Sequence, residues 1–312
     1  MAGRFYRAVD GILLLDKALG VSSNAALQQV RALFNAAKAG HAGSLDPLAS
    51  GLLPVCFGQA TKVCGRLLNS GKTYRVLVQL GARTESGDGE TEVIERAAVP
   101  PLDDRAVDAV LASFVGEQDQ IPPMHSALKF EGKRLYELAR RGESVEREPR
   151  RIAIHRIARV RLDRDELEFD VYCSKGTYIR TLAADIADRL GTLGYVRGLR
   201  RLTLDPFGDL PSYTLEQLAE RPPAERDALL LPPDRAFLDL PQVELGTAAV
   251  EGLLQGRTVA TAHPGATGEL RAYDAQGRFL GIVLGAGVGR VRPIRLFVDV
   301  DTARARKPDS PA

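Results

Sequence analysis

Apolar positions in this chain fall into short runs and alternations, each broken by glycine, proline or charge. The first run, Gly11-Ile-Leu-Leu-Leu-Asp16-Lys17, is continuous and bounded by glycine and charge, which predicts a buried strand. From Ser23 onward, Leu27, Val30, Phe34 and Ala37 recur at three- and four-residue spacing. That spacing predicts a helix capped by Ser23 and stopped at Gly40. Residues 52–57 predict a strand, and Ala60, Val63, Leu67 and Leu68 a short helix. Tyr74, Val76, Val78 and Leu80 then alternate with Arg75, Leu77 and Gln79, the pattern of a half-buried strand. Residues 81–91, rich in Gly, Asp and Glu, predict a solvated loop.

Asp103 and Asp104 open a helix that buries Val107, Val110, Leu111 and Phe114. A helix over 134–141, a loop to Pro149 and a strand over 152–162 follow, the strand carrying Arg156, Arg159 and Arg161. Leu167, Phe169, Val171 and Cys173 alternate with polar neighbours and lead into Ser174-Lys-Gly-Thr177. Ile179, Leu182, Ile186 and Leu190 then form a helical stripe that places Arg180 in the first turn. A cation there is disfavoured by roughly 0.3–1 kcal/mol because a helix N-terminus is itself positive, so an anion nearby is expected. Pro222-Pro223 and Pro232-Pro233 mark a domain edge, after which short, glycine-punctuated strands are expected at 270–273, 279–284 and 291–297. A chain of 312 residues suits one large core plus a smaller one.

Composition adds little until charge is read locally. Hydrophobic residues at 45% and charged residues at 26% are ordinary for a soluble globular protein and exclude wholesale disorder. The net charge of +2 gives no sign of a polyanion partner. Residues 129–164, however, hold twelve Lys or Arg against six Asp or Glu, which leaves the remainder of the chain acidic. Such a segment fits either a polyanion-binding face or a solvated surface. Cys56, Cys64 and Cys173 form no C-x-x-C pair and lie near no histidine at ligand spacing. They read as reduced core residues of a cytoplasmic protein, and no metal is expected. The early apolar run is too short for a signal-peptide core or a membrane span.

Gly40-His41-Ala-Gly-Ser-Leu-Asp46-Pro47-Leu-Ala-Ser-Gly51-Leu-Leu-Pro54 is the stretch with the strongest chemical character. One carboxylate, Asp46, lies among residues that break regular structure and ahead of an apolar anchor. Taken alone, it reads as a turn aspartate or as a reactive group held in place. The stretch resembles the catalytic motif of the TruB family, bacterial synthases that make pseudouridine at position 55 of tRNA. Residues 11–24, Lys72-x-Tyr74-Arg75, 121–130, Ser174-x-Gly-Thr-Tyr-Ile-Arg180 and Leu199-Arg200-Arg201 resemble that family in the same order. Ala18 stands where the family's Asp-Lys-Pro turn has its proline.

The resemblance implies an α+β pseudouridine synthase fold, a mixed and largely antiparallel sheet with flanking helices, followed by a small β-rich PUA-like domain. The expected divisions are a catalytic domain over 1–235 with a basic RNA-binding insertion near 125–150, an RNA-binding unit over 236–303 and a disordered tail over 304–312. Asp46 is then the catalytic carboxylate, which Arg180 neutralises and orients, and Tyr74 stacks on the uracil or relays the C5 proton. His41 is expected to insert into the RNA stem, Tyr178 and Leu199 to wall the pocket, and Lys17, Arg140, Arg141, Arg150 and Arg151 to contact RNA. The motif offers one carboxylate where glycoside hydrolysis ordinarily flanks the bond with two. The expected partner is the T arm of tRNA, met by a monomer without cofactor or protein partner. The alternatives are an RNA-binding or tRNA-folding protein with incidental catalysis, and a synthase acting on another RNA.

Overall fold

The computed structural model describes residues 6–298 apart from 127, 131, 140, 209, 264 and 266, so Arg140 and the tail over 304–312 lie outside the described residues. Its frame is an eight-stranded sheet. In order across the sheet run Gly11–Lys17, Ala49–Phe57, Gly194–Leu204, Lys72–Leu80, Glu166–Cys173, Arg150–Asp163 and Gly116–Gln120, and Ala39–His41 also pairs with Ala49–Phe57. Every pairing is antiparallel except one: Leu199, Arg200 and Arg201 run parallel to Ala49, Ser50 and Gly51. The sheet is therefore mixed and largely antiparallel, as the α+β expectation has it.

The continuous apolar run at the first strand has a physical reason, since both of its faces are covered. Leu13 and Leu15 pack with Leu27, Val30 and Phe34 of the first helical stretch, while Ile12 and Leu14 face Val63, Leu67 and Phe237. Lys72–Leu80 alternates because only one face is covered: Val76, Val78 and Leu80 meet Leu182 and Ile186 of the Ile179–Arg189 helix. On the other face Arg75 forms a bidentate pair with Asp170 of the neighbouring strand at 2.8 and 2.9 Å.

Two helix boundaries differ from the periodicity. The first helix spans Ser23–Leu33, and its N-terminal cap is Ser22, whose hydroxyl accepts from the Ala25 N–H. It ends at Phe34 because Asn35 enters the left-handed region at φ 48°; Ala36 is then buried and Ala37 exposed, and Gly40 belongs to the strand Ala39–His41. The helix expected over 134–141 is the shorter Leu135–Ala139.

A second sheet of five strands orders Gln242–Leu245, Glu269–Asp274, Phe279–Gly285, Arg290–Leu296 and Val259–Ala260. It docks on the first through Phe237, Phe279 and Phe297, whose rings lie 5.3–6.3 Å apart. The Lys62 ammonium donates to the Leu296 carbonyl and Arg295 donates to the Lys62 carbonyl, both at 2.7 Å. Among the described residues no helix is long and apolar enough to cross a membrane.

Candidate active site

The Asp46 loop is held from four sides. At the helix start, the buried Ser23 hydroxyl accepts from the Leu45 N–H at 2.7 Å and donates to the Leu45 carbonyl at 2.9 Å. Gly20 N–H donates to the Pro47 carbonyl at 2.8 Å, and Leu48 N–H donates to Glu90 Oε1 at 3.0 Å. From behind, Arg201 donates through Nη2 to the Gly43 carbonyl at 2.9 Å and through Nε to the Leu52 carbonyl at 2.6 Å. Arg201 is only 1% exposed, so these carbonyls satisfy a buried cation's donors while fixing the entry and exit of the loop. Asp46 projects from this frame with half of its side-chain surface open.

The Asp46 carboxylate meets Arg180, whose Nη2 stands 3.2 Å from Oδ2. The same guanidinium places Nη1 3.3 Å from Asp88 Oδ2, donates to the Ser86 carbonyl at 3.0 Å and donates to the His125 carbonyl at 2.7 Å. The anion expected from the placement of Arg180 in the first helical turn is thus present twice. Asp88, with 2% of its side chain exposed, is fixed in turn by the Ser86 hydroxyl at 2.5 Å and the Glu90 N–H at 3.0 Å. Burial, reinforced by the negative charges of Asp88 and Asp46, raises the Glu90 carboxyl above its ordinary range.

A cleft of about 1140 Å³ opens over these groups, and His41, Asp46, Arg180, Asp88, Glu90 and Ser126 are among its walls. Tyr74 is not among the residues that line this cleft; it sits where the two cores that flank the sheet meet. Burial pushes its hydroxyl above the ordinary value of 10, so the phenol keeps its proton through the neutral range. His41 is half-buried, and burial together with Arg201 lowers its imidazole, which is therefore neutral at pH 7. Leu199 bridges the same two cores as Tyr74. Tyr178 forms the N-terminal boundary of the Arg180 helix, its N–H donating to Gln120 Oε1 at 2.7 Å and its carbonyl accepting from Gln120 Nε2 at 3.1 Å.

Lys17 does not fit an RNA-contact role. It is 1% exposed, and its ammonium donates to the Ala18 and Val21 carbonyls at 2.9 and 2.6 Å, so it ties the turn beside Pro47 together. Arg141, Arg150 and Arg151 are exposed, but Arg151 is already paired with Glu117 at 3.1 Å and Asp119 at 3.6 Å.

Asp88, Ser86, Glu90 and Arg201 are absent from the sequence-derived site. The first three lie in 81–91, which is polar and glycine-rich and reads as a solvated loop, yet Thr84, Ser86 and Asp88 are buried. The clue was an unpaired basic residue elsewhere: a cation in a first helical turn asks for anions, and Asp88 supplies one. Among the described residues no group of three or more His, Cys, Asp or Glu is placed to hold a metal ion.

Comparison with known proteins identifies the family. Residues 31–179 match the model of the TruB family pseudouridylate synthase N-terminal domain. Residues 180–237 match the tRNA pseudouridylate synthase B C-terminal domain, and 241–297 the C-terminal model of pseudouridine synthase II TruB. A tRNA pseudouridine synthase B from Methylobacillus flagellatus is 50% identical, covering 94% of this chain and 97% of its own. One from Chromohalobacter salexigens is 49% identical over 93% and 94%. In fold, the chain is similar to a crystal structure of a Cbf5-Nop10-Gar1 complex, at a TM-score of 0.71 and 24% identity over 93% of this chain and 86% of that one. With half of its residues shared over nearly the full length of its relatives, and with the mixed sheet and the motif loop in place, the chain belongs to the TruB family of tRNA pseudouridine synthases.

Proposed function

We propose that this synthase acts on uridine 55 in the T arm of tRNA, with Asp46 as its catalytic carboxylate. The observation that carries the proposal is the 3.2 Å contact between Arg180 and an Asp46 that is still half open to the cleft. Of the other carboxylates that line the cleft, Glu85 makes no ion pair with a described residue. Asp88 is enclosed, and Glu90 accepts from the loop backbone. Among the described carboxylates of the cleft, Asp46 combines a charged partner with an open oxygen.

Pseudouridine formation breaks the bond from C1′ to N1, rotates the uracil and joins C5 to C1′. The C5 proton leaves to solvent and N1 takes one up, so no oxidant or cofactor enters the balance. Asp46 supplies the anionic oxygen for this exchange. Arg180 holds it at a fixed angle by spreading its own donors over two carboxylates and two carbonyls. Tyr74, protonated at neutral pH, serves as a flat platform for the uracil rather than as a ready base. A uridine in a folded arm must leave its stack first, at a cost of a few kcal/mol. We assign His41 to the gap it vacates: a neutral imidazole intercalates with less desolvation than a charged one. Tyr178 and Leu199 support the pocket from behind. We read the chain as a cytoplasmic monomer with a catalytic unit over 1–235 and an RNA-binding unit over 236–303.

The test uses unmodified tRNA carrying tritium at uridine C5. Wild-type protein is expected to release tritium with conversion mapped to position 55, and Asp46→Asn to bind tRNA with no release. Release by the asparagine variant, or conversion at another position, rejects the corresponding half of the proposal.

A further inference from the structure

The segment from His125 to Ser126 lines the same cleft as Asp46 and is clamped by its backbone. The His125 carbonyl accepts from Arg180 Nη2 at 2.7 Å, Ser126 N–H donates to the Met124 carbonyl at 2.9 Å, and the Ser126 carbonyl accepts from the Tyr136 N–H at 3.1 Å. The backbone on both sides of the serine is thereby fixed. Its side chain is different. Ser126 is 5% exposed, lines the cleft, and its Oγ is among the buried polar atoms that make no hydrogen bond to a described residue.

A buried hydroxyl without a partner costs on the order of 1–3 kcal/mol, and folded proteins leave few of them. An alanine in its place would avoid the cost. The Arg180 guanidinium, which lines the same cleft, is committed to Asp46, Asp88, Ser86 and His125. We propose that Ser126 Oγ is a substrate contact, a hydrogen-bonding group left unpaired in the free enzyme and satisfied by an oxygen of the extruded target nucleotide.

The inference rests on the uridine-isomerising reading of the same cleft and adds a specificity residue to it. A hydroxyl both donates and accepts, so it suits either a uracil carbonyl or a ribose hydroxyl. In both cases the bond forms only once the nucleotide has left the stem. The contact therefore ties turnover to extrusion rather than to general tRNA affinity, which comes from phosphate contacts spread over a wide surface.

Ser126→Ala separates this role from a structural one, because the two move stability in opposite directions. Removing a hydroxyl that bonds nothing should leave the thermal midpoint equal to the wild type or above it, whereas removing a structural bond lowers it. Single-turnover conversion of tRNA should fall about tenfold, with tRNA binding unchanged. The same pair of proteins on tRNA carrying 2′-deoxyuridine at the target identifies the acceptor. A penalty that persists places the contact on the uracil, and one that vanishes places it on the ribose. A variant that converts tRNA at the wild-type rate, or one whose midpoint drops together with its rate, overturns the proposal. Since the wild type is assayed on the same tRNA, a failure of the position-55 reading appears there, and a failure of this inference only in the variant.

Discussion

Arg180 illustrates at the scale of one residue why the site is sensitive to geometry. Its guanidinium reaches Asp46 and Asp88 and donates to two carbonyls from separate segments, so its planar fork acts as a junction. Lysine keeps the charge but offers a compact head that cannot span these directions. Arg180→Lys is expected to lower turnover about a hundredfold, the equivalent of losing one or two charge-assisted bonds, while tRNA affinity stays near wild type. Near-normal turnover by the lysine variant, in the same single-turnover assay, would mean that a point charge suffices. Asp46 was singled out by the motif's resemblance, since its own neighbours fit a turn aspartate equally well, whereas Arg180 stood out as a cation at a helix start; the structure places the two in contact. Asp88 was not legible, since its burial depends on a guanidinium 92 positions further on, and no local pattern records that pairing. Lys17 misleads for the opposite reason: an exposed-looking lysine after a strand is turned inward by two carbonyls.

At the scale of elements, the strand Ala49–Phe57 matters most, because the loop feeds directly into it and the parallel pairing with Leu199–Arg201 sets its depth. Gly51 is where the two meet. Its φ is +99°, and a Cβ added there would lie 2.2 Å from the Arg201 carbonyl oxygen. Gly51→Ala should therefore lower both the thermal midpoint and turnover, since the strand must retreat from Arg201 and release its hold on Gly43 and Leu52. The backbone conformation alone costs about 1–3 kcal/mol, before any overlap. Gly277→Ala, in the second sheet, is the control. That residue has φ +74° with nothing within 4 Å, so only the backbone cost applies and turnover should persist. If both variants lose the same stability, close approach to Arg201 is not what Gly51 provides. Strand identity was largely readable from alternation, as in Lys72–Leu80. Helix ends were not: the stop at Asn35 depends on a positive φ that a single non-glycine residue does not announce.

Over the whole molecule, the basic surplus across 129–164 is smaller in space than in sequence. Arg151 pairs with Glu117 and Asp119, Arg159 with Asp104 and Asp108, and Arg161 with Glu166 at 2.9 Å. These acids all lie outside the segment. Exposed pairs are worth little to stability, but they occupy cations that would otherwise meet phosphate. Arg141 and Arg150 are exposed and make no ion pair among the described residues. Replacing both with Gln should flatten the dependence of log K on log salt by about 0.7–0.9 of a unit for each phosphate no longer neutralised, and Arg151→Gln by less. Weaker affinity at constant slope would assign these residues to packing.

The order of strands across the large sheet has a consequence for assembly. Gly194–Leu204 sits between Ala49–Phe57 and Lys72–Leu80, so the strands that carry the motif loop and Tyr74 are neighbours only through a segment made more than a hundred residues later. Such distant pairings are slow to form and come late in folding. A growing chain that has emerged as far as the Ile179–Arg189 helix already contains Asp46, Tyr74, Asp88 and Arg180, yet it lacks Arg201 and the strand that brings them to one place. Until Gly194–Leu204 has been made, the chain therefore lacks both the strand that joins Ala49–Phe57 to Lys72–Leu80 and the guanidinium that ties down the Asp46 loop.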